Sequence, residues 1–149
     1  MSYHNSDQNK KRLHPLPVSP YVKKWLIHIK GYKDHLEVNK YLTTFEEISK
    51  VNVFCHFEMK EGMEEIMVCM YSPKREKLYY LQSVLEWLFN YELMQYVKAH
   101  FRYLKIPARV AMRDYLKKCR ITEDELAIDT AYKRWQRDTD NKLPGMICL

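Results

Sequence analysis

Apolar residues recur at helical spacing along most of the chain, most clearly near the C-terminus. Two helices are predicted within residues 107–137, one on each side of a short turn at 119–121. At the start of the second helix, Thr122 and Glu125 have the spacing of a capping box, in which each side chain bonds the backbone N–H of the other residue. The pattern therefore predicts a C-terminal helix pair with the length and turn of a helix-turn-helix motif.

A longer helical stretch covers residues 73–104, which contain neither proline nor glycine. As one straight helix it would be about 48 Å long, whereas a compact domain of this size is roughly 35–40 Å across. The apolar stripe through Leu81, Leu85 and Leu88 loses its phase near residues 90–92, so a bend or break is predicted there. Aromatic side chains surround this central long helix, which is typical of a helix that is central in the core or shared with a partner. Few elements remain to cover it in so short a chain, so a partner is expected.

Two segments have the alternating pattern of strands. Residues 51–58 alternate apolar with polar positions, residues 64–71 are strand-like, and Gly62 lies between them, so one β-hairpin is predicted. Residues 34–49 have helical periodicity. Residues 20–30 fit a helix or a strand, and a helix is favoured because a Ser-Pro pair starts the segment.

The two ends of the chain differ from the middle. Residues 1–19 are polar and basic and contain two prolines, so a flexible basic arm is predicted. Residues 138–149 are predicted to be a tail. Residues 20–137 are predicted to form a single globular domain. Its expected fold is α+β but mainly helical, with a central long helix, one hairpin and the C-terminal helix pair.

Composition and charge narrow the class of protein. A chain of 149 residues with 46% hydrophobic and 13% aromatic residues is long enough for a real core and too apolar for disorder. The net charge of +6 favours an anionic partner such as nucleic acid. Residues 34–66, however, carry eight acids against three bases, so internal charge complementarity or an acidic partner is an equal alternative.

The sequence lacks the common signatures of chemistry. The four cysteines, Cys55, Cys69, Cys119 and Cys148, form no CxxC pair, and no histidine or cysteine pair has metal-ligand spacing. No P-loop, GxSxG, HExxH or GxGxxG motif is present. We therefore expect a non-enzymatic protein without metal or cofactor, and a hydrolase with dispersed catalytic residues is a third alternative. No signal peptide or membrane span is predicted, which favours reduced cysteines and a cytoplasmic location.

Eight cations on the predicted helix pair are the candidate nucleic-acid-binding residues. They are Arg109, Arg113, Lys117, Lys118, Arg120, Lys133, Arg134 and Arg137. The second helix begins with Glu123, Asp124 and Glu125, which would face phosphates unfavourably in the major groove. Contact is therefore expected to be non-specific. The competing interpretation is that these cations are the solvated face of two helices packed through residues such as Trp135.

The leading hypothesis from the sequence is a small non-enzymatic protein that contacts nucleic acid, DNA or RNA, through its phosphates, as an oligomer and with a regulatory role. The alternative is a protein-interaction or assembly subunit that uses the aromatic long helix.

Overall fold

The computed structural model describes residues 11–38, 62–71 and 75–140. Within them, four helices and a three-stranded sheet form the mainly helical α+β fold that the sequence predicted. In chain order the elements are β1 (Lys11–Val18), α1 (Pro20–His28), β2 (Leu36–Glu37), β3 (Glu64–Tyr71), α2 (Arg75–Tyr103), α3 (Ala108–Lys118) and α4 (Ile128–Asp140).

Packing divides the chain into two compact units, one up to Phe89 and one from Asn90 onward. The boundary lies within α2, so this helix contributes residues to both units. The single domain expected over residues 20–137 stays a prediction.

Strand β3 is the centre of the sheet, with β1 antiparallel on one side and β2 parallel on the other. The strand predicted at 64–71 is therefore confirmed, while its predicted hairpin partner at 51–58 lies outside the described residues. Residues 11–18, which were assigned to the flexible arm, instead form β1. The arm prediction is wrong there because Leu16 and Val18 are buried as alternate residues of a strand.

The backbone hydrogen bonds of β3 show which of its residues face which neighbour. The N–H of Met67 donates to the Tyr32 hydroxyl (2.9 Å), and the carbonyl of Cys69 accepts from the N–H of Val38 (3.0 Å). Odd-numbered residues of β3 therefore direct their backbone groups towards β2, and even-numbered residues bond β1.

This arrangement explains how two prolines fit in β1. The register pairs even-numbered residues of β1 with even-numbered residues of β3, so Pro15 and Pro17 have their nitrogens on the outer edge, where no ladder hydrogen bond is lost. The outward carbonyl of Pro17 accepts a hydrogen bond from Gln82 Nε2 (2.6 Å). The side chain of Gln82, which is buried, thus covers part of this edge.

Strand β2 replaces the first part of the helix that was predicted over 34–49. Val38 is buried beside β3, while Glu37 faces the other way and pairs with Lys11 (3.2 Å) and His35 (3.1 Å). The hydrogen bond from Lys11, followed by that from His35, lowers the pKa of Glu37. The helix prediction is wrong at 36–37 because neighbouring side chains point to opposite faces there, as in a strand paired with a sheet. Residues 39–49 lie outside the described part of the chain.

The core of the first unit is formed by the even-numbered strand residues, one side of α1 and the first part of α2. Helix α1 confirms the favoured interpretation of residues 20–30, with Pro20 in its first turn. Phe89 of α2 is fully buried, and its ring contacts Tyr21 (centroids 5.1 Å apart) and Trp25 (5.8 Å) of α1.

Helix α2 is continuous, so the break predicted at residues 90–92 is wrong. Buried residues recur at every fourth position along it, at Leu81, Leu85, Phe89, Leu93 and Val97. Phe89 and Leu93 carry this series past residues 90–92, and their spacing keeps the helix phase intact.

The C-terminal helix pair is confirmed with shifted boundaries. Helix α3 matches the predicted first helix, but α4 begins at Ile128 rather than Thr122. Helix α4 also continues to Asp140, so the first three residues of the predicted tail are helical. Residues 141–149 lie beyond the described residues.

Candidate nucleic-acid interface

Helix α3 is amphipathic and has a well-defined end. Its buried residues are Ala108, Ala111, Met112, Tyr115 and Leu116. After Lys118, the N–H of Ile121 donates to the carbonyl of Leu116 (2.9 Å), and that of Arg120 donates to Lys117 (3.0 Å). These two bonds are the Schellman motif, and Arg120 has the positive φ of 57° that the motif requires.

The exposed residues of α3 lie on two flanks. Helical geometry places Arg109, Arg113 and Lys117 in one row at intervals of four residues, and Asp114 and Lys118 on the opposite flank. The two flanks contact different parts of the molecule, so the cations of α3 that the sequence analysis treated as one set fall into two groups.

The flank with Asp114 and Lys118 is bound to the second half of α2. The Tyr96 hydroxyl donates to Asp114, and Lys118 Nζ lies 3.0 Å from the same hydroxyl and 3.5 Å from the Asp114 carboxylate. Tyr96 also stacks on His100, with ring centroids 3.9 Å apart. Lys118 is therefore engaged in a cluster that joins α2 to α3.

The pKa shifts in this cluster favour a protonated Tyr96 that donates a hydrogen bond, and not a nucleophilic one. Burial and then the hydrogen bond to Asp114 raise the pKa of Tyr96, so the phenol stays protonated at neutral pH. The hydroxyl of Tyr96 in turn lowers the pKa of Asp114 and keeps it a carboxylate. The Tyr96 hydrogen bond likewise raises the pKa of Lys118. A nucleophilic tyrosine would need the opposite shift.

The other flank of α3 meets the first turns of α4. Arg109 Nη1 lies 2.9 Å from Asp129 Oδ1, and the Arg109 guanidinium lies 4.4 Å from the centre of the Tyr132 ring. The row Arg109, Arg113 and Lys117 thus begins beside the row Asp129, Lys133 and Arg137, which has the same four-residue spacing on α4. Both rows start at one ion pair, and their later members are all cations.

The start of α4 is anchored by acidic side chains. Glu125 Oε1 accepts from both the N–H and the hydroxyl of Thr122 (2.9 Å each), so half of the predicted capping box forms. The N–H of Glu125, however, donates to the carbonyl of Thr122 (3.0 Å), which makes a turn instead of a helix start. The carboxylate of Glu123 then accepts from the N–H of Ile128 (3.2 Å), the first residue of α4.

Arg134 lies on the side of α4 that packs in the molecule. Its Nη1 donates to Asn90 Oδ1 of α2 (2.7 Å). Trp135, beside it, is buried and forms a T-shaped pair with the Phe101 ring, with centroids 6.3 Å apart. Both contacts fit the interpretation of Trp135 as a packing residue.

The structure therefore sorts the eight predicted cations into two groups. Arg109, Lys118 and Arg134 contact side chains of neighbouring helices. The side chains of the other five are exposed and have no ion pair among the residues that the structure describes. These five exposed cations are Arg113, Lys117, Arg120, Lys133 and Arg137.

Part of one basic segment, with Lys98, Arg102 and Lys105, was not among the cations predicted from the sequence. No acid occurs between Glu92 and Asp114, and this stretch carries five cations. They are Lys98, Arg102, Lys105, Arg109 and Arg113. Residues 101–105, where α2 ends, are five consecutive exposed residues with the sequence Phe-Arg-Tyr-Leu-Lys, and we call them the basic–aromatic corner. The absence of acids is visible in the sequence and would have identified the segment.

Two observations concern thiol and metal chemistry in the described residues. Burial, and then the charge of Glu92, raise the pKa of the Cys119 thiol to about 12, so this buried thiol is not a nucleophile at neutral pH. Among the described residues, no three His, Cys, Asp or Glu side chains are grouped to hold a metal ion.

Comparison with known proteins identifies no relative: no family model, curated protein or solved structure matches the chain. Over the described residues, no helix combines the length and the apolar character needed to cross a membrane.

Proposed function

We propose that the protein binds nucleic acid through its phosphates, without reading sequence, on the surface formed by α3 and α4. The observation that carries this proposal is the group of five exposed cations on these two helices. Each belongs to a helix or cap whose other side is packed, so the charges are held on a firm support. Exposed guanidinium and ammonium groups release counterions from phosphates on binding, which is the main source of non-specific affinity.

The spacing of the cations suits a linear polyanion. Arg113 and Lys117 are separated by four residues of α3, which is about 6 Å along a helix axis. Lys133 and Arg137 repeat this interval on α4. Arg120 extends the α3 row beyond the end of the helix. Arginine also forms paired hydrogen bonds to phosphate oxygens, which strengthens such contacts.

The first turn of α4 disfavours sequence reading. In a helix-turn-helix protein the N-terminal residues of the second helix reach base edges in the major groove. Here that end carries Asp129 and is bonded by the Glu123 carboxylate. These acids would repel phosphates on both sides of a groove, so contact through the exposed cations is the favoured mode.

The test is a salt titration of binding by fluorescence anisotropy, with duplex and single-stranded probes. We expect affinity to fall steeply with salt, and the double variant Arg113→Ala/Lys117→Ala to bind about tenfold more weakly at moderate salt. The slope of log affinity against log salt should decrease by roughly 1 to 2, because each lost phosphate contact removes slightly less than one.

A matched control removes one exposed arginine and one exposed lysine elsewhere, in the variant Arg12→Ala/Lys33→Ala. Equal losses in both double variants would show that only net charge matters and would contradict an α3–α4 interface. Absence of binding to every probe at low salt would reject the proposed function itself.

A second candidate function is self-association through α2. Trp87 lies on the part of this helix that belongs to the first unit and is 36% exposed. Large aromatic side chains of this exposure are enriched at protein interfaces. Sedimentation velocity of the wild type and of Trp87→Ala separates this candidate from the first, since phosphate binding needs no self-association.

A further inference from the structure

We infer that the nucleic acid preferred by this protein is single-stranded, and that unpaired bases stack on the basic–aromatic corner at residues 101–105. This inference rests on the proposed function and names its substrate class. The corner carries two exposed aromatic residues, Phe101 and Tyr103, which alternate along the chain with the cations Arg102 and Lys105. That combination binds single strands, because rings stack on bases while cations contact the backbone.

The two rings are available to a ligand. Tyr103 is 81% exposed and Phe101 is 52% exposed, although most large apolar side chains in the described residues are buried. Phe101 contacts Trp135 in a T-shaped arrangement, with the ring planes 63° apart. One ring is therefore braced by the protein while much of its surface remains open to a base.

The backbone of the corner is held by hydrogen bonds. The N–H groups of Leu104 and Ile106 both donate to the carbonyl of His100 (3.1 Å each). Lys105 between them has a positive φ of 57°. A platform fixed in this way loses little conformational entropy when a base stacks on it.

The residues around the corner are positively charged, which favours an anionic ligand. Arg102 and Lys105 are exposed and lie within the acid-free stretch between Glu92 and Asp114. The row of cations on α3 starts four residues later, at Arg109. Eight residues after Lys105 follows the exposed Arg113, the first of the five cations of the proposed phosphate-binding surface, so bases at residues 101–105 would have phosphate-binding groups nearby along the chain.

The exposed rings distinguish a single strand from a duplex. In a duplex the faces of the bases are stacked on each other, and the rim presents charged phosphates, so exposed Phe101 and Leu104 would gain nothing there. Phosphate attraction alone favours the duplex, since its charge density is higher. A preference for the single strand would thus report stacking and not charge.

The experiment compares three probes of equal phosphate number by fluorescence anisotropy: oligothymidylate, an abasic strand of the same length, and a hairpin duplex. We expect the wild type to bind oligothymidylate at least about tenfold more tightly than the abasic strand. This comparison needs no variant, so it stands even if a substitution disturbs folding.

Variants then locate the stacking. Tyr103→Ala should weaken binding to oligothymidylate by about 5- to 100-fold, the usual effect of removing one stacking ring, and leave abasic and duplex binding within about twofold. Tyr103→Phe should restore the affinity because the ring is retained. Leu104→Ala, which removes an exposed apolar side chain without a ring, is the matched control and should have little effect.

The outcomes separate this inference from the proposed function. Equal affinity for oligothymidylate and the abasic strand, or a loss in Tyr103→Ala that is the same for all three probes, would overturn base stacking while phosphate binding survives. A loss in Leu104→Ala as large as that in Tyr103→Ala would show that the affinity does not depend on an aromatic ring and would also overturn the inference. Failure to bind any of the three probes would reject the proposed function.

Discussion

Lys105 and Arg120 occupy backbone positions that glycine usually fills. Both have φ of 57°, in the left-handed region, and each follows the end of a helix. A side chain there costs about 1 kcal/mol or more, and glycine would avoid that cost. A cation at the end of a helix interacts favourably with the helix dipole, but the cation needs no left-handed residue to do so. Both side chains also lie on the proposed binding surface.

This arrangement predicts opposite effects on stability and binding in Arg120→Gly. The free energy of unfolding of the variant should be about 0.5–1 kcal/mol higher, because the strain at φ 57° is relieved. The variant should also bind single strands several-fold more weakly, because a phosphate contact is lost. Urea denaturation and anisotropy measure the two effects.

The matched control is Arg120→Ala, which removes the charge but keeps the strain. It should lose the same affinity without gaining stability. A gain in stability as large as that of Arg120→Gly would show that the side chain, and not the backbone, carries the cost.

Cys119 provides a prediction in pH. Its pKa in the folded protein is raised to about 12 from an ordinary value of 9.0, chiefly by burial. Because the pKa is raised only in the folded state, the protonated thiol contributes its full stabilisation below about pH 9. This contribution is lost as the pH rises towards 12, since the unfolded chain releases the proton first. Cys119→Ala should lose less stability than the wild type between about pH 8 and pH 10, as measured by urea midpoints.

Thiol reactivity tests the same burial independently. With Cys119 as the sole cysteine, after serine replaces Cys55, Cys69 and Cys148, a thiol reagent should react slowly with the native protein and rapidly in urea. Rapid reaction without denaturant would contradict the buried position.

At the scale of elements, the sequence predicted those helices and strands that depend mainly on their own pattern of apolar residues. The strand at 64–71, helix α1 and helix α3 follow from periodicity and from proline in a first turn. Strand β1 was missed because its prolines suggest an extended arm, and only the register with β3 shows that their nitrogens face outward. A helix break was expected because the predicted apolar stripe ended at Leu88. In the structure, the row of buried residues continues instead through Phe89 and Leu93.

The continuous stripe of α2 predicts a large difference between two neighbouring aromatic residues. Phe89→Ala should destabilise the protein by about 3–5 kcal/mol, because it leaves a cavity beside Tyr21 and Trp25. Trp87→Ala, two residues away and partly exposed, should cost less than about 1 kcal/mol. Chemical denaturation gives both values, and similar costs would contradict the described face of the helix.

At the scale of the whole molecule, the positive charge is concentrated in sequence. The stretch from 93 to 113 contains five cations and no acid, whereas residues 34–66 hold eight acids. The sequence identified the α3 and α4 cations from helical spacing. It did not show which of them are engaged, since Asp129, Asn90 and Tyr96 meet Arg109, Arg134 and Lys118 only in the folded protein.

Hydrogen exchange of the complex with oligothymidylate should map this asymmetry. We expect slower exchange in peptides that cover residues 98–120 and 133–137, and no change in peptides from β3, because phosphates and bases contact only the basic segments. Protection confined to β3, with none at 98–120, would place the interface elsewhere.

The outward prolines of β1 also bear on how the protein behaves at high concentration. An exposed strand edge is a template on which another chain can add, and repeated addition leads to fibrils. Around Pro15 and Pro17 this edge offers no N–H donors, and Gln82 already occupies the Pro17 carbonyl. A chain that arrives at this edge finds no continuous ladder to extend. The two residues that made β1 hard to recognise thus disfavour the addition of another chain on this side of the described sheet.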